Sequence, residues 1–179
     1  MDIAEVILKD HQEQRYLFSL LEQMDRSATE DLSEIWGRLS SFLEVHARAE
    51  ELFFYPTLLR DGRGEGGMPD ASSETKDAIK DHNEIRDAIA EVLKHQVGSK
   101  DWFNAINEVN KANSDHMGEE ERQGLADFRR TVTLTARHEL AIQFIVFEAK
   151  NINGITARDI DPETYVKRSS APGKPSAAS

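Results

Sequence analysis

The chain has no cysteine in its 179 residues. That excludes disulfides, zinc–thiolate sites and thiol nucleophiles. Basic residues are scarce too: 22 Lys and Arg face 33 Asp and Glu, a formal net charge of −11. Phosphate backbones need a basic patch, so no nucleic-acid partner is expected. No apolar run approaches the length of a membrane span, and no membrane association is expected. The start, Met1-Asp2-Ile3-Ala4-Glu5, lacks the basic stretch of a signal peptide, so a cytoplasmic location is the expectation. Several catalytic motifs are missing. The glycines at 62–67 are not followed by Gly-Lys-Ser/Thr. His138-Glu139-Leu140-Ala141-Ile142 has Ile142 where a zinc-protease helix needs its second histidine. No histidine has a glutamate three residues before it, so the Glu-x-x-His spacing of one class of metal–carboxylate bundle is absent.

What is present is a repeat. Lys9-Asp10-His11-Gln12-Glu13 returns as Lys80-Asp81-His82-Asn83-Glu84, 71 residues on. His46-Ala47-Arg48-Ala49-Glu50-Glu51 returns as His116-Met117-Gly118-Glu119-Glu120-Glu121, 70 residues on. Two copies of one helical hairpin explain this spacing. On a helix, His46 and Glu50 share a face, as do His116 and Glu120.

The length suits one domain with a real core. Apolar periodicity predicts helix one from about Ile3 to Met24 and helix two from about Asp31 to Leu59. The inner stripe of helix two is Ile35, Leu39, Phe42, His46, Glu50 and Phe53, and Pro56 is expected to kink its end. A glycine-rich loop, 61–73, leads to helix three, capped by Ser72 or Ser73 and running to about Gln96. Helix four starts near Asp101 and ends between Gly124 and Arg130. A fifth helix covers Thr131 to Lys150. The expected fold is an all-α, up-down-up-down four-helix bundle with an additional fifth helix. It occupies 1–150, followed by a polar C-terminal tail, 151–179, disordered over its last dozen residues.

Measured along such helices, His11, His46, His82 and His116 all lie roughly 21–24 Å from the same end of the bundle. Four inward histidines and two glutamates thus fall in one layer. Unpaired buried carboxylates cost several kcal/mol each, about 3–5 for a broken pair. Two divalent or trivalent cations would satisfy all six groups. Imidazole with carboxylate leans toward iron or manganese over softer metals.

The ordered set His11, His46-x-x-x-Glu50-Glu51, His82 and His116-x-x-x-Glu120-Glu121 resembles the hemerythrin-like, or HHE cation-binding, domain over about residues 3–125. The resemblance implies a non-haem di-iron centre, two Fe ions joined by an oxo or hydroxo group. Glu50 and Glu120 would bridge the irons, and His11, His46, His82 and His116 would be terminal ligands. Members handle O2, hydrogen peroxide or NO, store iron, or sense oxygen and iron. This sequence departs from the oxygen carriers, which have a further histidine four residues after the helix-three ligand. Arg86 stands there, and Arg15 at the matching place on helix one. Each iron then keeps a free or water-filled position, which favours peroxide or NO chemistry over oxygen carriage. Alternatively the two arginines pair with Glu51, Glu121 or other carboxylates around the ligands.

Glu51 and Glu121, one residue off the inner stripe, are expected outside the ligand ring or exposed. His138 joins only if helix five folds back over the site. His95 faces away from His82, near a helix C-terminus. Tyr55 points away from His46 unless the helix is distorted before Pro56. A catalase-like activity is one expected function. The alternative is a non-enzymatic sensor or iron-holding module, with a protein partner on helix five or the tail.

Overall fold

The computed structural model describes residues 1–64 and 70–170. The centre of the expected loop, 65–69, and positions 171–179 of the expected disordered end lie outside the described residues. Among the described residues there is no strand. The helices are α1 (Ile3–Gln23), α2 (Thr29–Ala49), α3 (Tyr55–Asp61), α4 (Ala71–Val92), α5 (Lys100–Arg122), α6 (Gly124–Thr131), α7 (Leu134–Lys150) and α8 (Pro162–Ser169). A π-helical turn, Glu50–Phe54, joins α2 to α3. No helix among the described residues is long and apolar enough to cross a membrane.

The bundle forms as expected from two hairpins, α1 on α2 and α4 on α5. Asp2 caps α1 by accepting from Ala4 N at 3.0 Å, and Ser99 caps α5 by accepting from Trp102 N at 3.1 Å. Such caps satisfy N–H groups that the helix itself leaves unpaired. α4 is capped by Asp70, which accepts from Ser73 N at 2.8 Å. The expected Ser72 and Ser73 lie inside the first turn, where a carboxylate ahead of them also meets the positive end of the helix dipole. α4 stops at Val92, short of Gln96. The connection to α5 needs Gly98, whose φ is +80° and whose missing Cβ would stand 2.3 Å from the Arg26 carbonyl.

Helix two carries the π turn instead of a simple kink. Pro56 has no N–H to give the Leu52 carbonyl. Ahead of it the ladder widens, and Tyr55 N–H reaches Glu50 O, five residues back. Helix four breaks at Gln123 into α5 and α6. The fifth helix, α7, starts three residues later than expected, where Thr133 accepts from Ala136 N. It packs on α1 and α2.

Part of the stretch expected as polar tail is a helix. Asp161 at the cap and Pro162 in the first turn start α8, and Tyr165 and Val166 are buried. The Tyr165 hydroxyl donates to the Glu51 carbonyl at 2.5 Å. Asn83 ties down the lead-in by bonding Ile160 O at 2.8 Å and Ile160 N at 3.1 Å.

The apolar interior is in two blocks. One holds Ile3, Ile7, Phe54, Leu58, Phe128 and Phe144. The other holds Leu17, Leu21, Trp36, Leu39, Trp102 and Val109. The histidine layer lies between them along each long helix.

Candidate metal centre

Each long helix brings one histidine to the layer. His11 from α1 and His46 from α2 have ring centroids 5.2 Å apart, and His82 from α4 and His116 from α5 are 4.7 Å apart. Glu50, with no solvent exposure, stands between the pairs. Its Oε1 is 2.8 Å from His46 Nε2 and 3.8 Å from His11 Nε2. Its Oε2 is 3.3 Å from His82 Nε2 and 4.0 Å from His116 Nε2. One carboxylate therefore offers one oxygen to each histidine pair. Glu120 Oε2 lies 3.3 Å from His11 Nε2. The structure thus brings all six expected residues together.

The other ring nitrogens face outward, each toward a carboxylate. His11 Nδ1 is 2.9 Å from Glu121 Oε1, and His82 Nδ1 is 3.2 Å from Glu51 Oε1. His46 Nδ1 is 3.4 Å from Asp10 Oδ2, and His116 Nδ1 is 3.5 Å from Asp81 Oδ2. These carboxylates orient the rings and leave Nε2 free to point inward. The aspartates belong to the repeated Lys-Asp-His and serve the histidine of their own hairpin. The glutamates are the second of each Glu-Glu and serve the histidine of the other hairpin. Asp10 and Asp81 went unread in the sequence, although the repeat displayed them. Glu51 lies outside the ligand ring, as expected, but is only 2 % exposed.

The two arginines take the paired role. Arg86 Nη2 donates to Glu51 at 2.8 Å and its Nε to Glu44 at 2.8 Å. Arg15 donates to Glu121 at 2.8 Å. Neither points a donor-free nitrogen at the layer, as a histidine there would.

The π turn decides where Tyr55 goes. On an unbroken α-helix Tyr55 would lie about 180° round from His46, and one extra residue in the turn sets it back by ~100°. Its hydroxyl then donates to Glu120 Oε1 at 2.7 Å. Burial, with the charges of Glu120 and Glu50, pushes the phenol pKa far up, so it is a proton donor and not a phenolate. α7 does fold back over the site, but through Phe144, whose ring is 5.7 Å from that of His46. His138 is exposed and does not join. His95 stands at the far end of α4, 3.5 Å from Glu91.

Burial alone would lower the histidine pKa values. For His11 the carboxylates of Glu120, Glu121 and Glu50 outweigh it and lift the value to about 10. For His82, Glu50 and Glu51 lift it to about 9. Burial would raise Glu50, but its histidine neighbours hold it well below the usual carboxylate range. Protons on imidazole are thus one way to balance this layer, and a cation that displaces them is another.

The donor geometry fits the cation. Of the inward-facing atoms, His11 Nε2, His46 Nε2, both Glu50 oxygens and Glu120 Oε2 are buried without a hydrogen-bond partner. His82 Nε2 and His116 Nε2 face each other at 3.2 Å. Two nitrogens each about 2.1 Å from one ion stand roughly 3.0–3.4 Å apart at octahedral to tetrahedral angles. Of three groups that could hold an ion among the described residues, His11–His46–Glu50 and Glu50–His82–His116 share the one glutamate, and the third is Asp10–His46–Glu148.

Comparison with known proteins agrees with this geometry. A curated protein described as a DNA nickase, from Nostoc sp., is 23% identical over 150 residues. The match takes in 84% of this chain and 40% of that protein, so the chain spans about two-fifths of its relative's length. No solved structure matches significantly. The profile of the hemerythrin HHE cation-binding domain matches residues 2–126. Those residues contain every histidine and glutamate of the layer, and the chain belongs to the hemerythrin HHE cation-binding family.

Proposed function

We propose that the layer holds a di-iron centre, oxo- or hydroxo-bridged, that binds or reacts with O2, hydrogen peroxide or NO. His11 and His46 would hold one ion and His82 and His116 the other, with Glu50 and Glu120 as the carboxylates shared between them. The observation that carries this reading is Glu50, with one oxygen 2.8 Å from His46 and the other 3.3 Å from His82. Bound there, two irons supply Lewis acidity and redox chemistry toward a small ligand.

The chain's own groups prepare the place. Tyr55 donates to Glu120 and fixes which oxygen of that carboxylate faces His11. Phe42 and Phe144 pack on the His46 ring and exclude water from it. Arg86, committed to Glu44 and Glu51, leaves the His82 side one nitrogen donor short of an oxygen carrier. That vacancy in the donor set favours peroxide turnover, a catalase-like activity.

Metal analysis with an optical spectrum before and after peroxide tests the proposal. About two irons per chain, charge-transfer bands and oxygen evolution are expected. No stoichiometric metal after anaerobic loading with ferrous iron would overturn it.

A second reading, a non-enzymatic sensor or iron-holding module, is favoured by α8. The Tyr165 bond to the Glu51 carbonyl ties the C-terminal segment to the turn that presents Glu50. Two irons without peroxide turnover would select this reading. Strand cleavage is not carried over from the Nostoc protein, because the match is 23% identical and takes in only 40% of that protein.

A further inference from the structure

The two hairpins repeat in sequence but are not covered alike. On the His46 side, α7 closes the layer with Phe144. On the His116 side there is a cavity of about 230 Å³ between α4 and α5. Its lining is graded. Asp77 and Glu119 are exposed, Glu74 and Asp81 are half-buried, and His116 and Glu120 are buried. No lysine or arginine is among its lining residues.

Two further observations point to a cation. Glu120, at the inner end and only 4 % exposed, turns its unpartnered oxygen, Oε2, toward His11 in the layer. Partway along, Glu74 Oε1 is also buried and unpartnered. A buried carboxylate that finds no donor in the protein must take up either a proton or a cation. A lining of one sign with low-dielectric walls concentrates counter-ions and raises their on-rates.

The geometry points to this cavity as the passage by which a divalent cation reaches the centre, with Glu74 and Asp77 holding it in transit and His116 as the first imidazole it meets. The inference rests on the proposed metal centre. It adds a direction: loading proceeds from the α4–α5 side. Neutral ligands such as peroxide also pass, whereas anions are turned away.

The test is stopped-flow loading of the metal-free full chain with Fe²⁺ under anaerobic conditions, and with Co²⁺ as an optical probe. In the double variant Glu74→Gln, Asp77→Asn, the loading rate should fall about tenfold, with final stoichiometry unchanged. The wild-type rate should also fall between about 20 and 500 mM salt. A matched double variant on the opposite side, Glu22→Gln with Asp31→Asn, makes the same change in net charge and should load at the wild-type rate. Asp77→Lys, at an exposed position, gives a variant whose fold is not in question, and it should slow loading further. Full loading at an unchanged rate in the Glu74, Asp77 and Asp77→Lys variants would overturn the passage alone. Equal slowing by the matched variant would overturn it as well. A wild-type chain that takes up no stoichiometric metal would overturn the metal centre and the passage together.

Discussion

Glu50→Gln separates a shared ligand from a merely buried acid. The substitution keeps the side-chain volume, so no cavity opens. It replaces one carboxylate oxygen by an amide nitrogen that cannot ligate. Each oxygen of Glu50 faces a different histidine pair, so one pair loses its Glu50 oxygen, which weakens that ion's hold, and the other keeps one. With free metal at about 1,000 times Kd, each ion stabilises the fold by about 4 kcal/mol. At about 2–4 °C per kcal/mol for a domain of this size, each ion raises Tm by about 8–16 °C. Wild type should therefore gain about 16–32 °C on loading, and the variant about half as much. Comparing each protein with its own metal-free form cancels any change in intrinsic stability. Differential scanning calorimetry on samples of measured metal content is the assay. A variant that holds two ions and keeps the full shift would refute the bridging role.

Three other perturbations probe separate parts of the argument. His46→Ala and His116→Ala should lower metal content and the loading-induced Tm shift together, and unaltered content would sink the ligand assignment. Arg86→Met strands Glu44 and Glu51 in the interior and should cost about 3–5 kcal/mol by chemical denaturation. Arg15→Met removes a guanidinium that is 44% exposed and should cost under about 1 kcal/mol, so equal costs would contradict the burial argument. Glu74 is held at about 7 by burial and by the charges of Glu120 and Asp127. The folded chain binds that proton more tightly than the unfolded chain, so stability is lost as pH rises from about 4.5 to about 7. Metal-free Glu74→Gln should melt above wild type at pH 8 and not at pH 4.5, and the reverse order would refute the assignment.

The layer of histidines and glutamates was legible because a helix repeats its faces at fixed intervals. His-x-x-x-Glu places both groups on one face, and a 70-residue repeat places two such faces opposite each other. The same repeat carried Asp10 and Asp81, but an aspartate next to a histidine points off the stripe, and stripe reasoning discards it. Its partner lies on the neighbouring helix, a contact that no single-helix projection contains. Tyr55 was legible only as a condition, since ideal 100° spacing turns it away and the π turn forced by Pro56 turns it back. α8 was hidden for a different reason. Its eight residues bury only Tyr165 and Val166, too few to make a period, and its order comes from Asn83 and the Glu51 carbonyl.

The division of the interior into two apolar blocks has a consequence for cooperativity. Each long helix is an axle through two short cores, and the joint between them is made of polar side chains, which gain little from leaving water. Without a cation, the two ends of one helix are free to open with different free energies, as separate foldons. Amides of α1 near Ile7 and near Leu21 would then exchange their hydrogens independently. A cation gripping all four long helices at the joint would make opening either end break the same bonds. Bound metal would then do more than add stability: it would turn two folding units into one.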